Sequence, residues 1–245
     1  MKVLSFNVGY FLNYEGTHLD YLKNPGKSIT GSRDEKDNLQ DFVELVESED
    51  PEFILLQEVD GGSIRTSTEG QHQYLSKELP QKYIYDFHTK YRGTFFPGVP
   101  IFRHLGNAVF FKRGRVENHS LGIGRKNLVQ EIKLEDFSIF SVHLSTFGGW
   151  IRRKQLEQIR QIAVKRAGFV LAGDLNFHKG KKEIDHLEET FGTEVHSPGK
   201  TFPAKDPSQR LDLVASSEKL EIQGLEKLGN HFSDHRPILF DIERK

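Results

Sequence analysis

The sequence predicts a layered α/β fold whose strands converge on a polar edge, and two patterns carry that expectation. Amphipathic runs alternate with short apolar ones. Polar closures also recur, in Leu4-Ser5-Phe6-Asn7, Leu55-Leu56-Gln57-Glu58, Ser141-Val142-His143-Leu144, Ala172-Gly173-Asp174-Leu175-Asn176 and Ser233-Asp234-His235-Arg236-Pro237. Metal-capable side chains at the tips of buried strands are costly unless they meet and neutralise one another, so convergence at one end of a sheet is expected. The chemistry suggested by such a gathering is phosphate-ester cleavage with a hard metal ion.

The elements follow in order. Val3-Leu4-Ser5-Phe6 opens as a strand. Ser32 with Glu35 makes a capping-box pattern, and Leu39, Phe42, Val43 and Val46 recur at helical spacing until Pro51, predicting a helix from about Asp34 to Glu49. Phe53 to Glu58, bounded by Pro51 and Gly61-Gly62, reads as a buried strand that delivers Glu58 to its tip. Leu156, Ile159, Ile162 and Ala163 keep the helical period between Gly149 and Gly168, and Phe169-Val170-Leu171-Ala172 then delivers Asp174. Helix, buried strand and terminal carboxylate thus occur twice, which points to a pseudo-twofold, two-sheet architecture. Gly106 to Phe111, a turn at Lys112 to Gly114, and Phe137 to Leu144 read as antiparallel strands, with His143 on the face of Ile139 and Ser141. Leu211 to Val214 and Pro237 to Phe240 supply two more, while 9–31 and 91–103, rich in Gly, Pro and aromatics, read as long binding loops.

The chain has 245 residues, 36% of them hydrophobic, enough for one substantial core, and a single domain over 1–245 is expected. It contains no cysteine, which excludes disulfides, thiolate nucleophiles and zinc-thiolate sites and leaves oxygen and imidazole as metal ligands. The strand-like start and the lack of a long apolar stretch predict a soluble cytoplasmic protein without a membrane anchor, expected as a monomer. The net charge of −1 gives no global attraction for nucleic acid. Local basic clusters do occur at Lys112-Arg113-Gly114-Arg115, Arg152-Arg153-Lys154 and Lys179-Gly180-Lys181-Lys182; the last follows the Asp174/Asn176 segment, where Lys179 could meet an anionic substrate.

Asn7, Gln57-Glu58, His143, Gly173-Asp174-Leu175-Asn176, Asp212 and Ser233-Asp234-His235 together resemble the ordered signature of the endonuclease/exonuclease/phosphatase superfamily, the deoxyribonuclease I-like group. The resemblance implies a four-layer α-β-β-α sandwich of two mainly antiparallel sheets with one active site at the strand ends. It places Glu58 and Asn7 on a metal ion with Asp234 near it or at a second site. Mg²⁺ is the expected cofactor, with Mn²⁺ as substitute, because carboxylate and amide oxygens are hard donors. By the same resemblance Asp174 orients and deprotonates the attacking water and Asn176 holds water or phosphate. His143 and His235 bracket the phosphoryl group, and Asp212 fixes the tautomer of His235. Asn107 would add a phosphate contact.

Taken singly, several of these residues have a plainer reading, Asn7 as a turn cap before Gly9 and His143 as a structural histidine among them. The His-Leu-Ser form at 143–145 resembles deoxyribonuclease I, sphingomyelinases and tyrosyl-DNA phosphodiesterases more than abasic-site endonucleases, which carry a tyrosine at that place. Arg92 and the loop aromatics Tyr10, Phe11, Tyr14, Tyr21, Tyr91, Phe95, Phe96 and Phe102 could stack bases or enter a lipid interface. The expectation is a metal-dependent phosphodiester hydrolase acting on DNA or RNA. A lipid or inositol headgroup phosphodiesterase or phosphatase, and a catalytically silent phosphate-binding member, remain as alternatives.

Overall fold

The computed structural model describes residues 1–14, 34–66, 70–90, 103–229 and 232–245. Ser32, Arg92 and most of the two long loops lie outside them. Twelve strands form two six-stranded sheets. The first sheet runs β11(Leu220–Lys227), β12(Ile238–Arg244), β1(Lys2–Asn7), β2(Phe53–Asp60), β4(Leu105–Phe111), β3(Ile84–Thr89). The second runs β5(Arg115–Ser120), β6(Leu128–Lys133), β7(Ser138–His143), β8(Phe169–Asp174), β10(Asp212–Ser216), β9(Val195–His196).

Each sheet is antiparallel except for one central parallel pair, β1 with β2 and β7 with β8. Parallel neighbours need a crossover, and a helix provides it in each half: α1(Glu35–Glu49) between β1 and β2, and α3(Gly149–Ala163) between β7 and β8. The shorter helices α2(Gln71–Glu78) and α4(Lys181–Phe191) follow β2 and β8 in turn. The succession β5-β6-β7-α3-β8-α4-β9-β10 is therefore matched by β11-β12 followed by β1-α1-β2-α2-β3-β4. The pseudo-twofold that the sequence only suggests is explicit in strand order.

Three apolar layers hold these elements. Leu4, Phe6, Ile54 and Leu56 pack against Leu39, Phe42 and Val46 of α1. Val3, Leu55, Val109, Ile139, Val170 and Val214 fill the space between the sheets. Phe140, Val142 and Leu171 meet Leu156 and Ile159 of α3 and Leu187 of α4. The α-β-β-α sandwich follows from strand alternation, since successive residues of each central strand face opposite layers. Phe11, expected on a binding loop, is fully buried against Phe42 and Phe232 and belongs to the core.

Local differences from expectation have plain causes. The first helix begins at Glu35, and Asp34 at its N-cap makes no side-chain capping bond. The strands at 106–111 and 137–144 are not partners: β4 pairs with β2 and β3, whereas β7 pairs antiparallel with β6 and parallel with β8. The basic run 112–115 is spent on packing charges, with Lys112 on Asp50 at 2.8 Å and Arg113 on Glu52 at 3.2 Å. Among the described residues no helix is long and apolar enough to cross a membrane.

In β6 the buried Glu131 is the acceptor for Arg166 at 2.5 and 2.9 Å and for Ser138 at 2.6 Å. Burial opposes its ionisation, but Arg166 and Ser138 hold its pKa at about 2 against an ordinary 4.5. A lowered native value gives stability that is complete above the unfolded pKa and is lost as pH falls through the native one. The urea midpoint is expected to fall between pH 4.5 and about 2, less steeply in Glu131→Gln; equal slopes in the two proteins would contradict this assignment.

Candidate active site

The site lies at the end of the inter-sheet layer and is built by the same alternation that builds the core. Along β1 the inter-sheet face carries Val3, Ser5, Asn7; along β7, Ile139, Ser141, His143; along β8, Val170, Ala172, Asp174. On β2 it carries Leu55 then Gln57, and on β10 Val214 gives way to Asp212. Each strand thus changes from apolar to polar at the same level. Register fixes the neighbours, Asn7 beside Gln57 and His143 beside Asp174. Gln57 Nε2 donates to Ser141 Oγ at 3.3 Å, joining the sheets just beneath the polar level.

Glu58 would point away from this face in a regular strand, and a bulge corrects it. Register shifts between Leu56 and Val59, leaving an extra residue on β2, and Glu58 takes φ 59°. That conformation is strained for a side chain other than glycine or asparagine. It is closed by Asn107, whose Oδ1 accepts from Glu58 N at 3.3 Å.

Gly173 sets the approach to Asp174. At φ 141° it runs so close to β7 that an added Cβ would sit 2.1 Å from the Val142 carbonyl oxygen. Backbone cannot yield at that distance, so Gly173→Ala is expected to cost on the order of 3 kcal/mol or more, read as a lowered urea midpoint. A change below about 1 kcal/mol would show that β7 and β8 separate easily there.

The polar groups form one continuous cluster. Asn7 Nδ2 donates to Asp174 Oδ2 at 3.0 Å, and Asn176 N donates to Asp174 Oδ1 at 2.9 Å. His143 Nε2 lies 3.3 Å from Asp174 Oδ2 and 3.7 Å from Glu58 Oε1. His235 Nε2 lies 3.7 Å from Asp174 Oδ2, while its Nδ1 meets Asp212 Oδ2 at 2.9 Å. Thr201 Oγ1 also donates to that Asp212 oxygen, at 2.5 Å. Ser233 bonds to the Asn7 carbonyl at 2.7 Å, bringing Asp234 to the edge of the cluster.

Electrostatics separate the two histidines. Burial alone would discharge His235, but the Asp212 and Asp174 carboxylates outweigh it and raise its pKa to about 10, so it is an imidazolium near neutral pH. Burial, together with Lys126 and Lys90, lowers His143 to about 3 and keeps it neutral. Burial also opposes ionisation of Glu58 and Asp174. Lys90 and Lys126 beside Glu58, and His235 and His143 beside Asp174, hold both carboxyls well below the ordinary range.

Asn7, Glu58, Asn107, His143, Asp174, Asn176, Asp212, Asp234 and His235 are therefore gathered in one region. Lys179 is exposed beyond it, with its backbone N–H bonded to Glu183 at 2.9 Å. Arg92 falls outside the described residues. His104 and His178 are both exposed; the His178 N–H donates to the Asn176 carbonyl at 2.9 Å, but its ring bonds to Gln209 at 2.8 Å outside the cluster. Sequence reasoning passed over Lys90 and Lys126, whose ammonium groups lie 3.4 and 3.3 Å from Glu58 Oε1. Neither stands at a strand tip with a recurring pattern, so no sequence signal marks them.

The carboxylates of Glu58, Asp174 and Asp234 fit a hard dication; the Asn7 amide oxygen accepts from Gly9 N at 3.1 Å, the turn contact its place before Gly9 suggests, and keeps one lone pair for a ligand. Asn107 Nδ2 is buried without a hydrogen-bond partner, which fits a group reserved for a ligand, whereas His143 meets the cluster through Nε2.

The comparisons agree with this architecture. The profile of the Endonuclease/Exonuclease/phosphatase family matches residues 4–235. An endonuclease/exonuclease/phosphatase family protein from Leptotrichia buccalis superposes with TM-score 0.71 at 15% identity, covering 99% of both chains. The human nocturnin catalytic domain with bound sulfate gives TM-score 0.65 at 19% identity, over 100% of this chain and 93% of that one. A mannosyl-6-phosphatase from Bacteroides thetaiotaomicron gives TM-score 0.65 at 14% identity over 99% of both. Comparison with curated proteins returned no match. With the profile spanning nearly the whole chain and the fold shared throughout, the protein belongs to the endonuclease/exonuclease/phosphatase family, a family of hydrolytic phosphoesterases.

Proposed function

We propose that this protein is a Mg²⁺-dependent phosphodiesterase that cleaves nucleic acid by in-line attack of water, acting as a cytoplasmic monomer. The observation that carries the reading is the unbroken set of contacts from Asn107 through Glu58, His143 and Asp174 to His235 and Asp212, drawn from the strand ends of both sheets.

Glu58, Asn7 and Asp234 would hold the dication. Asp174, Asp212 and His235 also offer ligand atoms within 4.8 Å of one another. Asp212 is already committed to His235 Nδ1 and Thr201, so this triad is read as catalytic. The bound dication supplies neutralisation of charge developing on a non-bridging phosphoryl oxygen. Asp174, anionic and oriented by Asn7 and Asn176, aims the water and takes its proton. The His235 imidazolium donates from Nε2 to the phosphoryl group, with Asp212 securing the opposite nitrogen. Neutral His143, Asn107 through Nδ2 and Asn176 complete the cradle.

A groove of about 550 Å³ beside His178, lined by Lys181, Lys200 and Arg210 against Asp185 and Glu188, keeps a small positive excess that suits a polyanion. Lys179 and Arg92 would add contacts to substrate phosphates. A second reading, hydrolysis of a lipid or inositol headgroup, is favoured by Phe147 and Trp150, which are 82% and 66% exposed on the segment leaving His143. A metal-supplemented panel of plasmid, oligonucleotide, sphingomyelin and inositol phosphates decides. Nucleic-acid turnover lost with chelator and restored by Mg²⁺ or Mn²⁺ is expected. Turnover of headgroups alone favours the second reading, and inactivity across the panel points to a silent binding protein.

A further inference from the structure

Two lysines that no sequence pattern marks converge on one oxygen of Glu58, from opposite sheets. Lys90 follows β3 and is fully buried, with Nζ 3.4 Å from Glu58 Oε1 and 5.0 Å from the Tyr10 ring centroid. Lys126 lies in the loop between β5 and β6, with Nζ 3.3 Å from the same oxygen and in contact with His143 Nε2. Its side chain is 14% exposed.

Lys126 is held in place by a dedicated anchor. Gln155 of α3 donates through Nε2 to the carbonyls of Lys126 at 2.6 Å and Ile123 at 3.1 Å, and its Oε1 accepts from Ser145 N at 3.0 Å. The backbone of Lys90 is likewise fixed, its N–H donating to the Leu105 carbonyl at 3.0 Å. A buried ammonium is expensive, and two held on one carboxylate oxygen need a compensating role.

Charge counting shows what the pair changes. Glu58, Asp174, Asp212 and Asp234 against the single His235 imidazolium leave the cluster strongly negative, and one dication would not reverse its sign. With the two ammonium groups added, the same dication leaves it positive, the sign that draws in a phosphodiester. Resting on the phosphoesterase reading above, we propose that Lys90 and Lys126 are catalytic residues that bind the non-bridging oxygens of the scissile phosphoryl group. They act as a second positive centre beside Glu58, on the oxygen that both ammonium groups share.

Inorganic phosphate with Mg²⁺ is the probe for binding, measured calorimetrically, because it needs no turnover. Lys126→Met is expected to weaken phosphate binding about tenfold and to lower kcat/KM about 100-fold on the substrate found by the panel. Its Mg²⁺ affinity should be unchanged or tighter, and Lys126→Arg should recover part of the loss. Lys90→Met is expected to behave alike if it folds, and Lys126→Met carries the test if it does not. Unchanged phosphate affinity in a folded Lys126→Met with tighter Mg²⁺ binding would overturn the proposal, making the lysines stand-ins for the cation. If the wild-type protein binds phosphate through the lysines yet turns over nothing, the hydrolase reading fails while the phosphate site stands.

Discussion

Asp174→Asn is expected to lower kcat/KM by about three orders of magnitude on any phosphate ester the wild-type protein cleaves, equivalent to about 4 kcal/mol of transition-state stabilisation. The substitution keeps size and shape, and its one amide oxygen can keep the contact from Asn176 N at 2.9 Å, while the contact from Asn7 Nδ2 at 3.0 Å then faces an amide NH2 and is lost. It removes the negative charge that accepts the proton of water and faces the His235 imidazolium 3.7 Å away. Loss should therefore fall on kcat rather than KM, with the circular dichroism of the sheets unchanged. Retention of more than a tenth of the activity would remove Asp174 from the role of base.

The second large effect is on stability. Arg152, 3% exposed, places Nε and Nη2 on Glu183 Oε1 at 2.8 and 2.6 Å and Nη1 on the Ser145 and Thr146 carbonyls at 3.0 Å each. Glu183 in turn accepts Lys179 N–H at 2.9 Å. One ion pair thus ties α3 to α4 and braces both the segment leaving His143 and the one leaving Asn176. Removing one partner strands the other charge in the interior, so Glu183→Ala should cost about 3–5 kcal/mol. The double variant Arg152→Met/Glu183→Leu should cost less than the two single changes added together, since no charge is left unpaired. Urea unfolding measures both, and a Glu183→Ala cost under about 1 kcal/mol would show that water reaches the guanidinium.

What the sequence revealed of the site follows from the period of the strands. Asp174 stands two residues beyond the core position Ala172, and Asn7 and His143 four beyond Val3 and Ile139 on the same face, so the strand period announces them. Glu58 was visible because it ends a run, although the bulge that turns it inward was not. Lys90 and Lys126 reach the site along flexible stems from positions without periodicity. Arg152 read as part of a basic run, and only the fold reveals that it is buried on Glu183. The same limit applied to the sheets. β5 and β6 carry Glu117, Asn118, Gln130 and Glu131 among their apolar residues, and partners distant in sequence make those polar groups tolerable. Helix α2, eight residues long with Leu75 as its buried apolar residue, gives too little amphipathic pattern to be seen.

The bond between Gln57 and Ser141 has a consequence for how the chamber is measured out. Below that latch the two sheets share a dry interior, and above it they share the reacting groups, so the count of residues along each strand works as a ruler for the depth of the cavity. Lengthening β8 by a pair of residues would preserve which way its side chains face while lifting Asp174 about 7 Å out of reach of His143. Members of this fold that differ in pocket depth should accordingly differ in their loops and leave these strand lengths alone.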